Sequence, residues 1–420
     1  MDRKILILCN DFPPINSIGA DRPYSWYVYF KEMGLYPIVI TKNWKTDGND
    51  SMPVIDDVTT HEITEFGEVI RVRNMHTLST KFYSKFGTKF KIFRKALSFF
   101  EITFGYYITL LDRHKSIYFE AIKYLEKNEV DLVITTGEPF ILFQYGQKLK
   151  SKFGLNWVAD YRDGWYLNHI RTYQKDVFNQ FIKNWELKIE KRIAKHADLI
   201  VTVDPEMAGR LSNLLQKEVE VVYNGFWGFH EYSTVNKNSD KLIINHTGTL
   251  TPGQQLELFL DAINDLFLQN KISKNNFQFN LIGLEYFPSQ LLRLEPYKHL
   301  INEIVFTTPR LPKKEAIKLN GTANYLLNFT DPKLSAIYAK TYDYIASKKN
   351  ILVVPGDGKL LENLVVTNEL GFVLNTKDEI ITFLQNPKTI ISSDKNLNQF
   401  TRKNQTKEFS KVLINLIEFK

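Results

Sequence analysis

Apolar residues along this chain gather in short, nearly continuous runs, the pattern of strands buried on both faces of a sheet. In the first half the runs lie at residues 4–10 (KILILCN), 36–42, 69–74, 131–137, 156–162, 199–204 and 219–225. Helix-length segments separate most of them, which predicts a parallel sheet. Helices are expected over 24–33, 116–127, 140–152 and 179–196, the last with Phe181, Ile182, Trp185, Ile189 and Ile193 at helical spacing. Residues 224–240 (NGFWGFHEYSTVNKNSD) turn glycine-rich and polar without a period, and read as a linker. A second set of runs follows at 241–248, 276–283, 301–308, 323–330, 350–356 and 371–376, and the tail 399–420 is helical by pattern.

One local unit occurs in both halves: an apolar run, a glycine turn and a helix-like segment. The copies begin at KILILCN and at KLIINHTG, residues 241–248. A strand that ends in such a turn sets backbone N–H groups and a helix N-terminus beside a crevice, which is how α/β sheets hold phosphate. The pattern predicts two Rossmann-like domains, 1–225 and 226–400, with parallel sheets facing a central cleft. A C-terminal helix at 401–420 is expected to pack back toward the first domain. No solenoid period or low-complexity tract competes with this reading.

Composition narrows the classes. A chain of 420 residues, 44% hydrophobic and 14% aromatic, can bury two full cores. The single cysteine, Cys9, lies inside the first apolar run and reads as core, and nothing points to an oxidising compartment. The opening run is too short for a signal peptide, and no run approaches the roughly 18 to 20 residues of a membrane span. A cytoplasmic location is the expectation. The net charge of +7 is uneven: across 81–94 (KFYSKFGTKFKIFR), Lys81, Lys85, Lys89, Lys91 and Arg94 interleave with Phe82, Phe86, Phe90 and Phe93, and no acid intervenes. The segment is either a solvated helix with its rings packed inward or a helix lying on an anionic membrane surface. Nucleic acid is not expected, since no recognition motif accompanies the charge. His169 and His246 belong to no metal-ligand spacing, and no Walker sequence is present, so no metal or cofactor is expected.

Several segments in order resemble the GT4-type family of bacterial nucleotide-sugar glycosyltransferases, whose fold is GT-B. They are KILILCNDFPPINSIGADRPYSW at the start, DLVITTGEPF (131–140), WVADYRDGW (157–165), similar to an "ADxRDxW" segment, IEKRIAKHADLIVTVDPEMAGRL, VEVVYNGF, HTGTL, and AKTYDYIASKKNILVV (339–354). The resemblance implies a metal-independent, retaining transfer from a nucleotide sugar to a hydroxyl of a glycan or lipid-linked glycan in bacterial surface polysaccharide synthesis. The enzyme would be peripheral on the inner face of the cell membrane, with 81–94 as the anchor. A nucleotide-sugar 2-epimerase and a non-catalytic subunit binding glycan or a partner transferase remain as alternatives.

Site residues follow from the same motifs. Gly19 admits a close approach to the donor diphosphate, having no Cβ. Gly248 and Thr249 form the second glycine turn, and Arg22, Arg310, Lys333 and Lys340 are the cations available to stabilise the leaving diphosphate. Asp343 stands where the family has the glutamate that binds ribose hydroxyls. Eight residues earlier the chain has Ser335 in place of the paired acid, and Gln254 and Gln255 stand where relatives place a base. Asp160 or Asp163 would orient the acceptor or take its proton, with Arg162 holding charge nearby, Glu138 as a further acid, and a buried Arg–Asp pair as the structural alternative.

Overall fold

The computed structural model describes residues 2–15, 17–45, 54–168, 177–229 and 241–418. His169 and residues 230–240 of the expected linker lie outside these. The chain divides into two compact units, one comprising 1–223 with 405–420 and the other 224–404.

Unit one is built on β1 (Arg3–Leu8), β2 (Leu35–Lys42), β3 (Trp44–Lys45), β4 (Val54–Ile55), β5 (Thr60–Ile63), β6 (Glu68–Val72), β7 (Leu132–Gly137), β8 (Asn156–Tyr161), β9 (Leu199–Thr202) and β10 (Glu220–Val221). Eight of these form one sheet in the order β10-β9-β8-β7-β1-β2-β6-β5, parallel except for the β5–β6 edge. Its helices are α1 (Ile18–Tyr29), α2 (Leu78–Phe86), α3 (Lys91–Gly105), α4 (Lys115–Leu125), α5 (Ile141–Phe153), α6 (Val177–Ala194) and α7 (Pro205–Leu215). Strand alternation sends Leu6, Leu8, Val133 and Ala159 to one face, under Ile117, Leu142, Phe143 and Ile193 of α4, α5 and α6. Ile5, Ile7, Ile134 and Val158 go to the other face, under α1 and the C-terminal helix. Both faces are covered, hence the continuous apolar runs. Phe181 departs from the expected apolar stripe of α6 and is exposed.

Unit two holds β11 (Leu242–Thr247), β12 (Phe277–Ile282), β13 (Val305–Thr308), β14 (Tyr325–Phe329), β15 (Asn350–Val354) and β16 (Gly371–Val373), paired in parallel as β13-β12-β11-β14-β15-β16. Its helices are α8 (Leu256–Leu268), α9 (Pro288–Leu291), α10 (Lys313–Gly321), α11 (Ala339–Ala346), α12 (Leu360–Thr367), α13 (Lys377–Gln385) and α14 (Asp394–Asn398). The expected strand at 301–308 begins only at Val305, because Asn302 turns the chain with φ +64°. The last helix, α15 (Arg402–Glu418), sets Phe409 5.1 Å from Trp26 and 6.1 Å from Phe30, ring to ring.

Candidate active site

Parallel sheets present their chemistry at the carboxyl ends of the strands, where helix N-termini also gather. In unit one β1 runs out at Asn10 and Asp11, β7 at Glu138, and β8 at Arg162 and Asp163. Asp11 accepts hydrogen bonds from the Asn10 side chain and the Ser17 hydroxyl, each at 2.7 Å, and Ser17 in turn caps α1. The Arg162 guanidinium lies between two acids, 3.9 Å from Asp11 and 3.9 Å from Asp163. It also lies against the first turn of α1: a Cβ on Gly19 would fall 1.3 Å from its Nη1. Gly19 therefore makes room for Arg162, and the backbone opening expected to receive a diphosphate holds a guanidinium instead. Asp11, absent from the sequence-based set, is the residue that brings Gly19 and Arg162 into one cluster.

Arg22 and Asp160 are placed differently from the expectation that one binds donor and the other serves transfer. Their side chains are 3% and 0% exposed and paired at 2.8 Å. Arg22 also donates to the Val222 carbonyl, and Thr136 donates to Asp160 at 2.7 Å. This buried pair ties α1 to β8 and to the end of unit one and leaves neither group facing solvent. Asp163 is the accessible acid of the segment, its side chain 61% exposed. The surrounding chain still strips enough water from its carboxyl to raise the pKa, against the pull of Arg162 and with repulsion from Glu138 and Asp160 added. Beneath the same loop, buried Glu190 accepts from the Tyr166 N–H at 2.9 Å and faces the Tyr161 hydroxyl. Burial pushes its carboxyl up to about 7. Cys9 is core, and burial pushes its thiol up to about 12.

A cavity of about 580 Å³ opens over this edge. Its floor includes Asp11, Glu138 and Arg162, and one wall is the α2–α3 hairpin, which contributes Ser79, Thr80 and Glu101. Three polar atoms of its lining, Asn10 Oδ1, His114 Nδ1 and Arg162 Nε, are buried without a hydrogen-bond partner. His114 Nδ1 lies 3.4 Å from Asp112, and burial holds its pKa below the ordinary value. Unsatisfied polar groups in a cavity suit a hydroxylated ligand, which both donates and accepts.

In unit two Gly248, Thr249, Arg310 and Lys333 follow the ends of β11, β13 and β14, and Lys340 and Asp343 lie on α11. Gly248 has φ +102°, a turn open to glycine, and packs against the Gly283 turn. The Lys340 side chain passes this turn, its Cδ 3.8 Å from where a Cβ on Gly248 would lie, and its ammonium reaches His246 Nε2 at 3.1 Å. Burial pushes Lys340 down to about 7. Asp343 lies 3.9 Å from Lys313. Thr249, Arg310 and Lys333 are exposed, and Arg310 stacks on Tyr286. Ser335 donates to Asp357 at 3.1 Å and accepts from the Leu360 N–H, so this position fastens the loop before α12. Gln254 is likewise a latch, buried and bonded to the Phe329 carbonyl, while Arg293 donates to the Gln254 carbonyl at 2.6 Å and pairs with Glu257. Arg293 lies in a stretch with no family motif and was not legible as a neighbour of this loop. Among the described residues no group of three or more His, Cys, Asp or Glu side chains is arranged to hold a metal ion.

Residues 101–226, which run from the cavity wall through the Arg162 cluster, match the family described as Glycosyltransferase Family 4. The chain has the GT-B fold, and this stretch of it resembles that family. Sucrose-phosphate synthase from Thermosynechococcus elongatus is similar over all of both chains, with a TM-score of 0.64 and 15% identity. HepE from Anabaena, solved with UDP and glucose, matches over 98% of this chain and 100% of its own at 0.57 and 13%. WaaG, a glycosyltransferase involved in lipopolysaccharide biosynthesis, matches over 98% and 95% at 0.53 and 11%. No curated protein sequence matches the chain at significant similarity. The expected α/β GT-B architecture thus holds, and the expected GT4 resemblance is matched over residues 101–226.

Proposed function

We propose that this GT4-type chain moves a sugar from a nucleotide donor held by unit two to a hydroxyl held by unit one, with retention of configuration and without a metal ion. The observation that carries the reading is the Lys340 ammonium beside the Gly248 turn. It is a half-buried cation with no carboxylate partner among the described residues, at the strand edge where a diphosphate would meet backbone N–H groups. The complexes of HepE with UDP, glucose and UDP-glucose support a nucleotide-sugar donor. Asp343, close by on α11, would accept hydrogen bonds from the ribose diol. The leaving diphosphate is stabilised by Lys340 and the turn, with exposed Arg310 and Lys333 at the same edge. The acceptor enters the unit-one cavity, where Asp163 or Glu138 receives or orients the hydroxyl and Arg162 balances charge.

The hairpin supports a membrane-bound acceptor in surface polysaccharide synthesis, at the inner face of the cell membrane. No side chain of α2 is buried, and Phe90, Ile92 and Phe93 stand out in solvent. The sequence carries no acid between Glu68 and Glu101, and Glu101 turns inward to accept from Ser79. The outer face thus presents cations, apolar side chains and the hydroxyls of Thr80, Ser84 and Thr88, with no acid, which suits an anionic bilayer. Among the described residues no helix is long and apolar enough to cross a membrane.

Saturation-transfer NMR against a panel of nucleotide sugars, followed by donor hydrolysis in EDTA, tests the reading. Binding with EDTA-insensitive turnover of one donor is the expected result, and loss of turnover in EDTA removes the metal-free mechanism. Ser335, which lacks the acid of the family pair and is engaged with Asp357, favours a non-catalytic subunit as the second reading; binding without turnover of any donor would establish it. Inversion at C2 of the donor sugar would mark an epimerase.

A further inference from the structure

His246 is fully buried on β11, and its two ring nitrogens are committed in different ways. Nδ1 lies 2.9 Å from the Leu327 carbonyl of β14, a group that can only accept, so Nδ1 carries the proton. Nε2 then presents a lone pair, and the group it meets, at 3.1 Å, is the Lys340 ammonium. The ring cannot take a second proton there: burial, followed by the Lys340 charge, holds its pKa well below the ordinary value. The Phe329 ring, 5.0 Å away, packs against the imidazole. A neutral acceptor of this kind fixes the direction of an ammonium without neutralising its charge, whereas a carboxylate would have satisfied the charge and competed with an anionic ligand.

We propose that His246 is a positioning residue for anion binding: locked as its Nδ1–H tautomer by Leu327, it aims the Lys340 ammonium at the Gly248 turn and leaves that charge for a nucleoside diphosphate. This rests on the reading of unit two as the donor site. The surroundings agree. Tyr338 offers its ring 5.7 Å from the ammonium, and Tyr344 is engaged with the Thr247 N–H. Asp343 on α11 lies near Lys313 of α10, while Asp331 and Asp357 act on the Tyr338 hydroxyl. None of these acids forms an ion pair with Lys340 among the described residues. An incoming diphosphate is then the group that stabilises the charged form.

The consequence is a proton linkage. With the ligand-free lysine near 7, diphosphate binding above that pH must draw a proton onto Lys340, so affinity falls as pH rises, approaching tenfold per pH unit. Removing the imidazole acceptor disfavours the half-buried ammonium further, moving the onset of this fall to lower pH. Calorimetry with UDP and with inorganic pyrophosphate, from pH 6 to 9 in buffers of different ionisation enthalpy, reads both affinity and proton uptake. The parent should take up a proton above pH 7, and Lys340→Met should bind weakly with no such uptake. His246→Phe should lose roughly tenfold or more in affinity at pH 7 with its onset shifted down. His246→Gln, whose amide oxygen can accept from Lys340, should restore much of both. A His246→Phe variant that folds and keeps the parent's pH profile overturns the inference while leaving the donor site standing. Unchanged binding in Lys340→Met removes the donor site, and the inference with it.

Discussion

Arg22 and Asp160 form an ion pair inside unit one, Nη2 to Oδ1 at 2.8 Å, on adjoining elements α1 and β8. Further hydrogen bonds from Arg22 to Val222 and from Thr136 to Asp160 leave little of either charge unsatisfied. Removing one partner strands the other in the core, which typically destabilises by about 3–5 kcal/mol. Arg22→Met and Asp160→Asn should each lower the free energy of unfolding by that order, and nucleotide affinity in the surviving folded fraction should not change. A folded Arg22→Met protein with parent stability but weakened UDP binding would return Arg22 to the donor site.

Gly19 and Arg162 are coupled by space. A methyl group at position 19 meets the guanidinium, the far end of a flexible side chain, so the substitution displaces Arg162 more readily than it distorts α1. Gly19→Ala should therefore keep its melting temperature within a few degrees while losing turnover by an amount similar to Arg162→Ala. The double variant should lose little more than either alone, since both remove the same placed charge. Additive losses, measured by single-turnover transfer, would show that Gly19 serves the reaction by another route.

Runs with no polar alternation announced strands covered on both faces, and the Gly248 turn announced where β11 ends, so the architecture was legible from local pattern, although Gly19 proved to lie inside α1 and not in a turn at the end of β1. Side-chain partnerships were less so. Arg22 and Asp160 are 138 positions apart, and DYRDGW contains two aspartates of the same type. One ends β8 inside the sheet and the other follows the turn into solvent, a difference set by pleat and register. His246 looked inert because its meaning depends on Leu327 and Lys340, which only the β11–β14 pairing and α11 bring to it. Ser335 read as a lost acid; its hydroxyl instead fastens a loop 22 residues further along.

Glu190 gives the fold a pH signature. Its carboxyl has an ordinary value of 4.5 and is pushed up to about 7 by burial, so the folded state binds more protons than the unfolded state between those values. Its contribution is greatest below pH 4.5 and is lost as pH rises toward 7, a difference on the order of 3 kcal/mol. Glu190→Gln, which keeps the acceptor for the Tyr166 N–H, should flatten that fall. Urea unfolding of both proteins at pH 5 and pH 8 checks this: the variant's stability relative to the parent should improve at pH 8. An unchanged difference between the two pH values would mean that Glu190 is ionised in the folded protein throughout.

The α2–α3 hairpin provides the most direct test of membrane association, because its apolar side chains can be changed without opening a core. Phe90, Ile92 and Phe93 are 65%, 85% and 59% exposed. Their replacement by serine should alter stability by only about 0.5 kcal/mol each, the usual range for surface sites. Binding to vesicles depends on the same atoms, through burial at about 25 cal/mol per Å² of apolar surface and about 1 kcal/mol for each nearby cation. Flotation with anionic vesicles should show binding by the parent that weakens with added salt as screening shortens the reach of Lys85, Lys89 and Lys91. The triple serine variant, with its melting temperature retained, should float poorly at every salt concentration, whereas changing those lysines to glutamine should remove chiefly the salt-sensitive part. A folded triple variant that floats like the parent would show that the hairpin does not anchor the protein.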